Sequence, residues 1–215
     1  MDLKGKKVGF LGDSITEGAG ASSSETCYVS LFAKAHPECR VYNYGIGGTR
    51  IAFVQHNPVN EIYERNPFES RLKMMEDDLD IVFVFGGTND YGHGDAPFGN
   101  PQDNTRETFC GSLNSLCYAL IEKYPFAKII FMTPMHRWNE GEAHKKPDGD
   151  YCLNDYVRVI RERAEYFSFP VLDLWATLGI QPDIAVMRTN FTTDGLHPND
   201  AGHRRVFEAV EQFLR

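Results

Sequence analysis

Apolar residues fall into five short runs along the chain, each followed by turn-forming residues: Lys7 to Leu11, Arg40 to Tyr44, Ile81 to Phe85, Lys128 to Met132 and Pro170 to Leu174. Their β-branched and aromatic content predicts strands. Ile81-Val82-Phe83-Val84-Phe85 carries no polar residue. A strand without alternation suits burial on both faces, as in a parallel sheet. Helical spacing fills the gaps. Phe109, Leu113, Leu116, Cys117, Leu120 and Ile121 share one helical face, as do Tyr156, Val157, Ile160, Ala164 and Phe167. Val206, Phe207, Val210, Phe213 and Leu214 make a third such face, with Asn199 or Asp200 placed to cap its helix. Less regular patterns predict helices over Glu25 to Ala35 and Pro67 to Asp78. Strands alternating with helices predict an α/β fold with right-handed crossovers. Five strands make a three-layer α/β/α sandwich with a mainly parallel sheet, rather than an eight-stranded barrel. Pro134 to Asp150 breaks the pattern: it is polar, rich in turn residues and long for a connection, as lids and binding loops are.

Composition narrows the class. The chain has 215 residues, of which 42% are hydrophobic and 24% charged, so one domain over residues 1–215 can bury its own core. The net charge of −8 disfavours nucleic acid as a partner. No apolar run approaches the roughly 18 residues a membrane helix needs, and no signal-peptide pattern opens the chain. The expected location is the cytoplasm. Five cysteines, Cys27, Cys39, Cys110, Cys117 and Cys152, form no CxxC pair. This argues against a disulfide framework or structural zinc site, and Cys110 and Cys117 read as small buried hydrophobes on one helix face.

The residues that follow the strands carry the chemistry. After the first run comes Gly12-Asp13-Ser14-Ile15-Thr16-Glu17-Gly18, and after the second Gly45-Ile46-Gly47-Gly48-Thr49-Arg50. After the third comes Gly86-Gly87-Thr88-Asn89-Asp90-Tyr91, and before the last helix stands Thr193-Asp194-Gly195-Leu196-His197-Pro198-Asn199. Ligands of open parallel sheets sit at the carboxyl ends of the strands, so these four segments should converge. They hold the parts for acyl transfer. Ser14 is a nucleophile that needs a base; His197 is the candidate base, and Asp194, three residues upstream, can reach its Nδ1. The backbone N–H groups of Ser14 and Gly48 and the side-chain amide of Asn89 are candidate donors to the oxyanion. A helix starting at Ser14 would add its dipole.

Taken singly, each block is an ordinary turn or cap. Together and in this order, Gly12-Asp13-Ser14-Ile15, Asn43-Tyr44-Gly45-Ile46-Gly47-Gly48, Gly87-Thr88-Asn89-Asp90 and Asp194-Gly195-Leu196-His197-Pro198-Asn199 resemble the SGNH hydrolases, the GDSL-like esterase and lipase superfamily. The resemblance runs from residue 8 to about residue 210. It implies a flavodoxin-like three-layer sandwich and an esterase that needs no cofactor and no metal. It implies Ser14 as nucleophile and oxyanion donor, Gly48 and Asn89 as the other donors, His197 as base and Asp194 as its partner. Ile15 stands where the family name has Leu. No Gly-x-Ser-x-Gly elbow is present, so the α/β-hydrolase class is not the match.

Asp13, Tyr91, His93, His136 and Trp138 are candidates for lining the substrate pocket, with Arg137 beside them; Phe53 and Asp90 read as packing and loop-holding residues. His36, His56, His144 and His203 have no such context. Two rivals stand beside the serine esterase. One is a metallohydrolase built from Asp13, Asn89, Asp90, His93, Asp194 and His197, which would leave Ser14 without a role. The other is a non-catalytic small-molecule binder using the glycine loops for phosphate, although no GxxxxGK[ST] or clean GxGxxG follows a strand. The expected substrate is a small-molecule ester with a short acyl group, acetyl on a carbohydrate first, ahead of the lysophospholipase and thioesterase activities also found among such enzymes.

Overall fold

The strands are β1 (Lys7–Gly12), β2 (Arg40–Gly45), β3 (Ile81–Phe85), β4 (Lys128–Met132), a short pair β5 (His144–Lys146) and β6 (Gly149–Tyr151), and β7 (Val171–Leu172). The computed structural model describes residues 2–53, 67–93 and 95–215. Five of the strands form one sheet in the order β2-β1-β3-β4-β7, and every neighbouring pair is parallel. Counted along the sheet this is the 2-1-3-4-5 order of the flavodoxin-like folds.

The unbroken apolar runs have a simple cause: each central strand is covered twice. From β3, Val82 and Val84 pack with the helices Phe109–Lys123 and Leu153–Tyr166, joined by Leu11 and Phe131 from its neighbours. Ile81, Phe83 and Phe85 point the other way and pack with Tyr28–Ala35 and Asp200–Leu214, joined by Phe10 and Ile130. Phe10 and Phe83, adjacent across the β1–β3 register, stack at 4.8 Å and are fully buried. Truncating either to Ala costs about 3–5 kcal/mol.

The helix ends follow from capping. Thr108 accepts from the Gly111 N–H at the start of Phe109–Lys123. Asn199, not Asp200, caps the last helix, accepting from Ala201 and Gly202. The Asp200 carboxylate instead accepts from the Ser22 N–H and from the hydroxyls of Ser22 and Thr26, tying the last helix to the loop after Ser14. Cys110 and Cys117 are both fully buried, where burial pushes the Cys110 thiol up to about 12, and all five cysteines are free.

Three segments differ from the expectation. The fifth strand is only Val171–Leu172, because the Asp173 side chain accepts from the Ala176 N–H and starts the helix Leu174–Thr177. The segments 25–35 and 67–78 are each split. A 3₁₀ turn, Ser24–Thr26, precedes the first helix, and Phe68–Arg71 passes into a 3₁₀ turn at Leu72–Met74. The stretch Pro134 to Asp150 is not irregular throughout, since β5 and β6 pair antiparallel within it. It is also fastened down. Tyr91 donates its hydroxyl to the carbonyls of Asn139 and Glu142, and Lys146 Nζ donates to those of Asp90 and Tyr91.

Candidate active site

β1 and β3 are neighbours, but the chain leaves them for opposite sides of the sheet, β2 lying beyond β1 and β4 beyond β3. That switch point opens a crevice at the carboxyl ends of the two strands. Ser14 follows β1 and Asn89 follows β3, so both stand at its rim. Asp13 caps the single turn Ser14–Glu17 by accepting from the Ile15 N–H at 3.0 Å. One turn is too short to carry the helix dipole that the sequence suggested. Ser14 is its first residue, so its N–H has no intrahelical acceptor.

The histidine arrives on a turn that folds on itself. Thr192 and Pro198 form an antiparallel bridge at its neck, and Gly195 takes φ +85° between them. Asp194 Oδ1 accepts from the backbone N–H groups of Leu196 and His197. Its Oδ2 lies 2.7 Å from His197 Nδ1. His197 Nε2 in turn lies 3.0 Å from Ser14 Oγ, across 183 residues of sequence. Burial alone would raise the Asp194 carboxyl; the hydrogen bonds from the His197 N–H, the His197 ring and the Leu196 N–H outweigh it and hold it below its ordinary value. An ionised carboxylate only accepts, so the ring proton sits on Nδ1 and bare Nε2 faces the serine hydroxyl. This is the geometry in which an imidazole takes a proton from a hydroxyl.

Asn89 is 4% exposed and held at both ends of its amide. Nδ2 donates to the Thr49 carbonyl at 2.9 Å, and Oδ1 lies 3.1 Å from His93 Nε2. Gly48 precedes Thr49 with φ +72°, a conformation that disfavours any side chain. Asp90, also buried, accepts from the N–H groups of Ile51 and Ala52, and so pins the loop after Gly48 to the turn that carries Asn89. The glycine loop is packed from the other side too. Glu17 accepts from the Gly47 N–H, and a Cβ at Gly45 would fall 2.1 Å from the Glu17 nitrogen.

The pocket-lining candidates separate. Asp13 is buried beside Ser14; burial pushes its carboxyl up to about 6 against the Ile15 N–H and the charges of Arg71 and His197. Tyr91 has no ring face to offer a substrate: it is 1% exposed, stacked on His144 at 4.2 Å and bonded through its hydroxyl. His136 is bonded through Nδ1 to Glu140 at 2.6 Å and lies against Trp175. Trp138 is half exposed, and its backbone N–H donates to the Gly195 carbonyl at 2.8 Å, which places it beside the His197 turn. His93 is bonded to Asn89 as described. Phe53 packs under Arg106, and Phe53 N–H donates to Ser112. His203 is fully buried, stacked on Tyr28. His56 lies outside the described residues. Among the described residues, no three His, Cys, Asp or Glu side chains gather as a metal site.

Arg71 escaped the sequence reading. It is 2% exposed, and its Nη1 donates to the carbonyls of Gly12 and Tyr44 while Nη2 donates to Thr49 Oγ1. One guanidinium thus ties the ends of β1 and β2 to the loop behind Asn89. Burial lowers its pKa to about 10, opposed by the charge of Asp13. An arginine between Phe68 and Leu72 looks like any solvated helix residue, and nothing in the pattern marks it as internal.

The GDSL-like Lipase/Acylhydrolase family matches residues 10–205, which span all four blocks. The chain belongs to this family. It is a hydrolase of the SGNH type. Among solved structures, the family member resembles a protein from Lactobacillus plantarum at 28% identity and TM-score 0.82, over 99% of this chain and 98% of that one. It has the fold of an acetyl xylan esterase, at 22% identity and TM-score 0.64, over 97% of this chain and all of that one. It also has the fold of half of a two-domain esterase active on acetylated mannans, at 23% identity and TM-score 0.63, over 99% of this chain and 49% of that one. No curated protein matches the chain. Among the described residues, no helix is long and apolar enough to cross a membrane.

Proposed function

We propose that this family member hydrolyses short acyl esters, acetyl groups on carbohydrates first, through an acyl-enzyme on Ser14. The observation that carries the reading is the chain Ser14 Oγ, His197 Nε2, His197 Nδ1, Asp194 Oδ2, with links of 3.0 and 2.7 Å. Ser14 Oγ attacks the ester carbonyl as its proton passes to His197 Nε2, and Asp194 stabilises the resulting imidazolium. The carbonyl oxygen becomes an oxyanion within reach of the N–H groups of Ser14 and Gly48 and the Asn89 amide. Collapse of the tetrahedral intermediate breaks the bond to the alcohol, which leaves with the proton from His197. Water then gives a proton to His197 as it attacks the acyl-serine, and His197 passes that proton to Ser14 Oγ as the carboxylic acid leaves. The acetyl choice is supported by the acetylated xylan and mannan substrates of two proteins that share the fold, and by an exposed indole, Trp138, bordering the His197 turn.

The test is hydrolysis of p-nitrophenyl acetate by the parent protein and Ser14→Ala, with EDTA present. Activity that survives EDTA and disappears with Ser14 supports the reading. Activity abolished by EDTA and kept by Ser14→Ala would overturn it in favour of a metal-dependent reaction. Acetylated xylo- and manno-oligosaccharides compared with octanoyl esters then test the substrate: a preference for the long chain removes the carbohydrate acetyl reading.

A further inference from the structure

We propose that His93 is the positioning residue for Asn89: its ring N–H fixes the amide so that one amide hydrogen points at the oxygen that becomes negative during ester hydrolysis. The proposal rests on the esterase reading above and adds to it a residue that does not touch the substrate.

The amide nitrogen of Asn89 faces the Thr49 carbonyl at 2.9 Å. A backbone carbonyl only accepts, so the amide cannot be turned the other way round. Oδ1 therefore faces His93, 3.1 Å from Nε2. That oxygen also only accepts, so Nε2 carries the imidazole proton. One of the two amide hydrogens is used on Thr49, and the second remains for the oxyanion. Without a donor at Oδ1 the amide is held by Nδ2 alone, and tilting about that one contact carries its second hydrogen away from the oxygen where negative charge must develop.

The backbone holds His93 in place for this. It lies four residues after Asn89, and its N–H donates to the Asn89 carbonyl at 3.1 Å, closing one helical turn. Residues four apart on a turn share a face. Partial burial, together with the charges of Arg50, Arg137 and Lys146, holds the imidazole below its ordinary pKa and so disfavours its charged form. Its Nε2 is already occupied by Asn89. That occupation is why the ring is better read as supporting Asn89 than as lining the pocket.

The test uses the full chain and p-nitrophenyl acetate, with His93→Ala, His93→Gln and His93→Asn made in the parent and in Asn89→Ala. The Gln amide nitrogen can stand where Nε2 stood, whereas that of Asn falls short. His93→Ala is expected to lower kcat about 10- to 100-fold, the usual cost of removing the partner of a site residue, with KM within about twofold. His93→Gln recovers at least about tenfold of the loss and His93→Asn does not. In the Asn89→Ala background, His93→Ala costs less than about twofold more. A loss equal in both backgrounds, or a rise in KM at unchanged kcat, overturns the positioning role. Should His93→Ala fail to fold, as read by thermal unfolding, His93→Gln against His93→Asn decides the matter alone. Ser14→Ala runs alongside: activity retained there sinks the esterase reading itself, while loss there with additive His93 effects sinks only this proposal.

Discussion

The Asp194–His197 turn and the Asn89 turn bring polar groups to the same crevice by opposite means. The first is local and wet. Asp194 bonds to residues two and three positions away, and its side chain is 52% exposed. The second is largely non-local and largely buried. Asn89 is held by a carbonyl 40 positions away, and its neighbour Asp90 accepts from two N–H groups 38 and 39 positions away, inside the core. A motif of the first kind needs only its own few residues and a place to dock. One of the second kind exists only once the sheet has brought β1, β2 and β3 together. The two should therefore respond differently to substitution.

The largest effect should come from the wet side. Asp194→Asn leaves the turn close to intact but no longer selects the Nδ1–H tautomer of His197, so kcat is expected to fall about 10³–10⁴-fold. Because the carboxylate is half exposed, Tm should move by no more than a few degrees. A variant that unfolds instead would break the contrast. Arg71 tests the dry side. Arg71→Leu removes three charge-assisted hydrogen bonds, to Gly12, Tyr44 and Thr49, at a cost of about 3–5 kcal/mol. Urea denaturation reads this; an unchanged midpoint would mean that the loops hold without it.

Asn89→Ala combines both consequences. We expect kcat to fall about 10²–10³-fold through the lost oxyanion donor. Stability should also drop by about 1–3 kcal/mol, because the carbonyl of Thr49, a buried residue, loses its partner. Loss of activity with no loss of stability would place Asn89 on the same footing as Asp194.

The smallest effect concerns Asp13. Burial raises its carboxyl from 3.8 to about 6. Between those values the folded protein keeps a proton that the unfolded chain has released, so this group makes stability fall as pH rises from about 4 to about 6. Asp13→Asn keeps an oxygen for the Ile15 N–H and removes the titration. Relative to the parent it should gain up to about 3 kcal/mol between pH 4 and pH 7, since one pKa unit is about 1.4 kcal/mol. A stability difference that stays flat across that range would show that Asp13 does not titrate there.

The same contrast separates what neighbouring residues encode from what they do not. The strand cores lie in the sequence because burial on both faces leaves unbroken apolar runs such as Ile81–Phe85. The long helices lie there because one face is apolar. The Asp-Gly-Leu-His turn is legible because its hydrogen bonds close within four residues. Asn89 was reachable through the order of the four blocks. Arg71, the hold of Thr49 on the amide, the rigid seating of Tyr91 and the pairing of β5 with β6 were not, for each depends on a partner far along the chain.

The sequence by itself therefore determined the α/β layering, the parallel sheet, and the order in which serine, asparagine, aspartate and histidine arrive, because periodicity and short turns are properties of neighbouring residues. Tertiary structure alone decided that Ser14 Oγ stands 3.0 Å from His197 Nε2 across 183 residues. It alone decided that a buried guanidinium carries the loops behind Asn89, and which aromatic rings near the crevice are buried. Those outcomes are set by desolvation and by pairing between distant segments, and no local pattern encodes either.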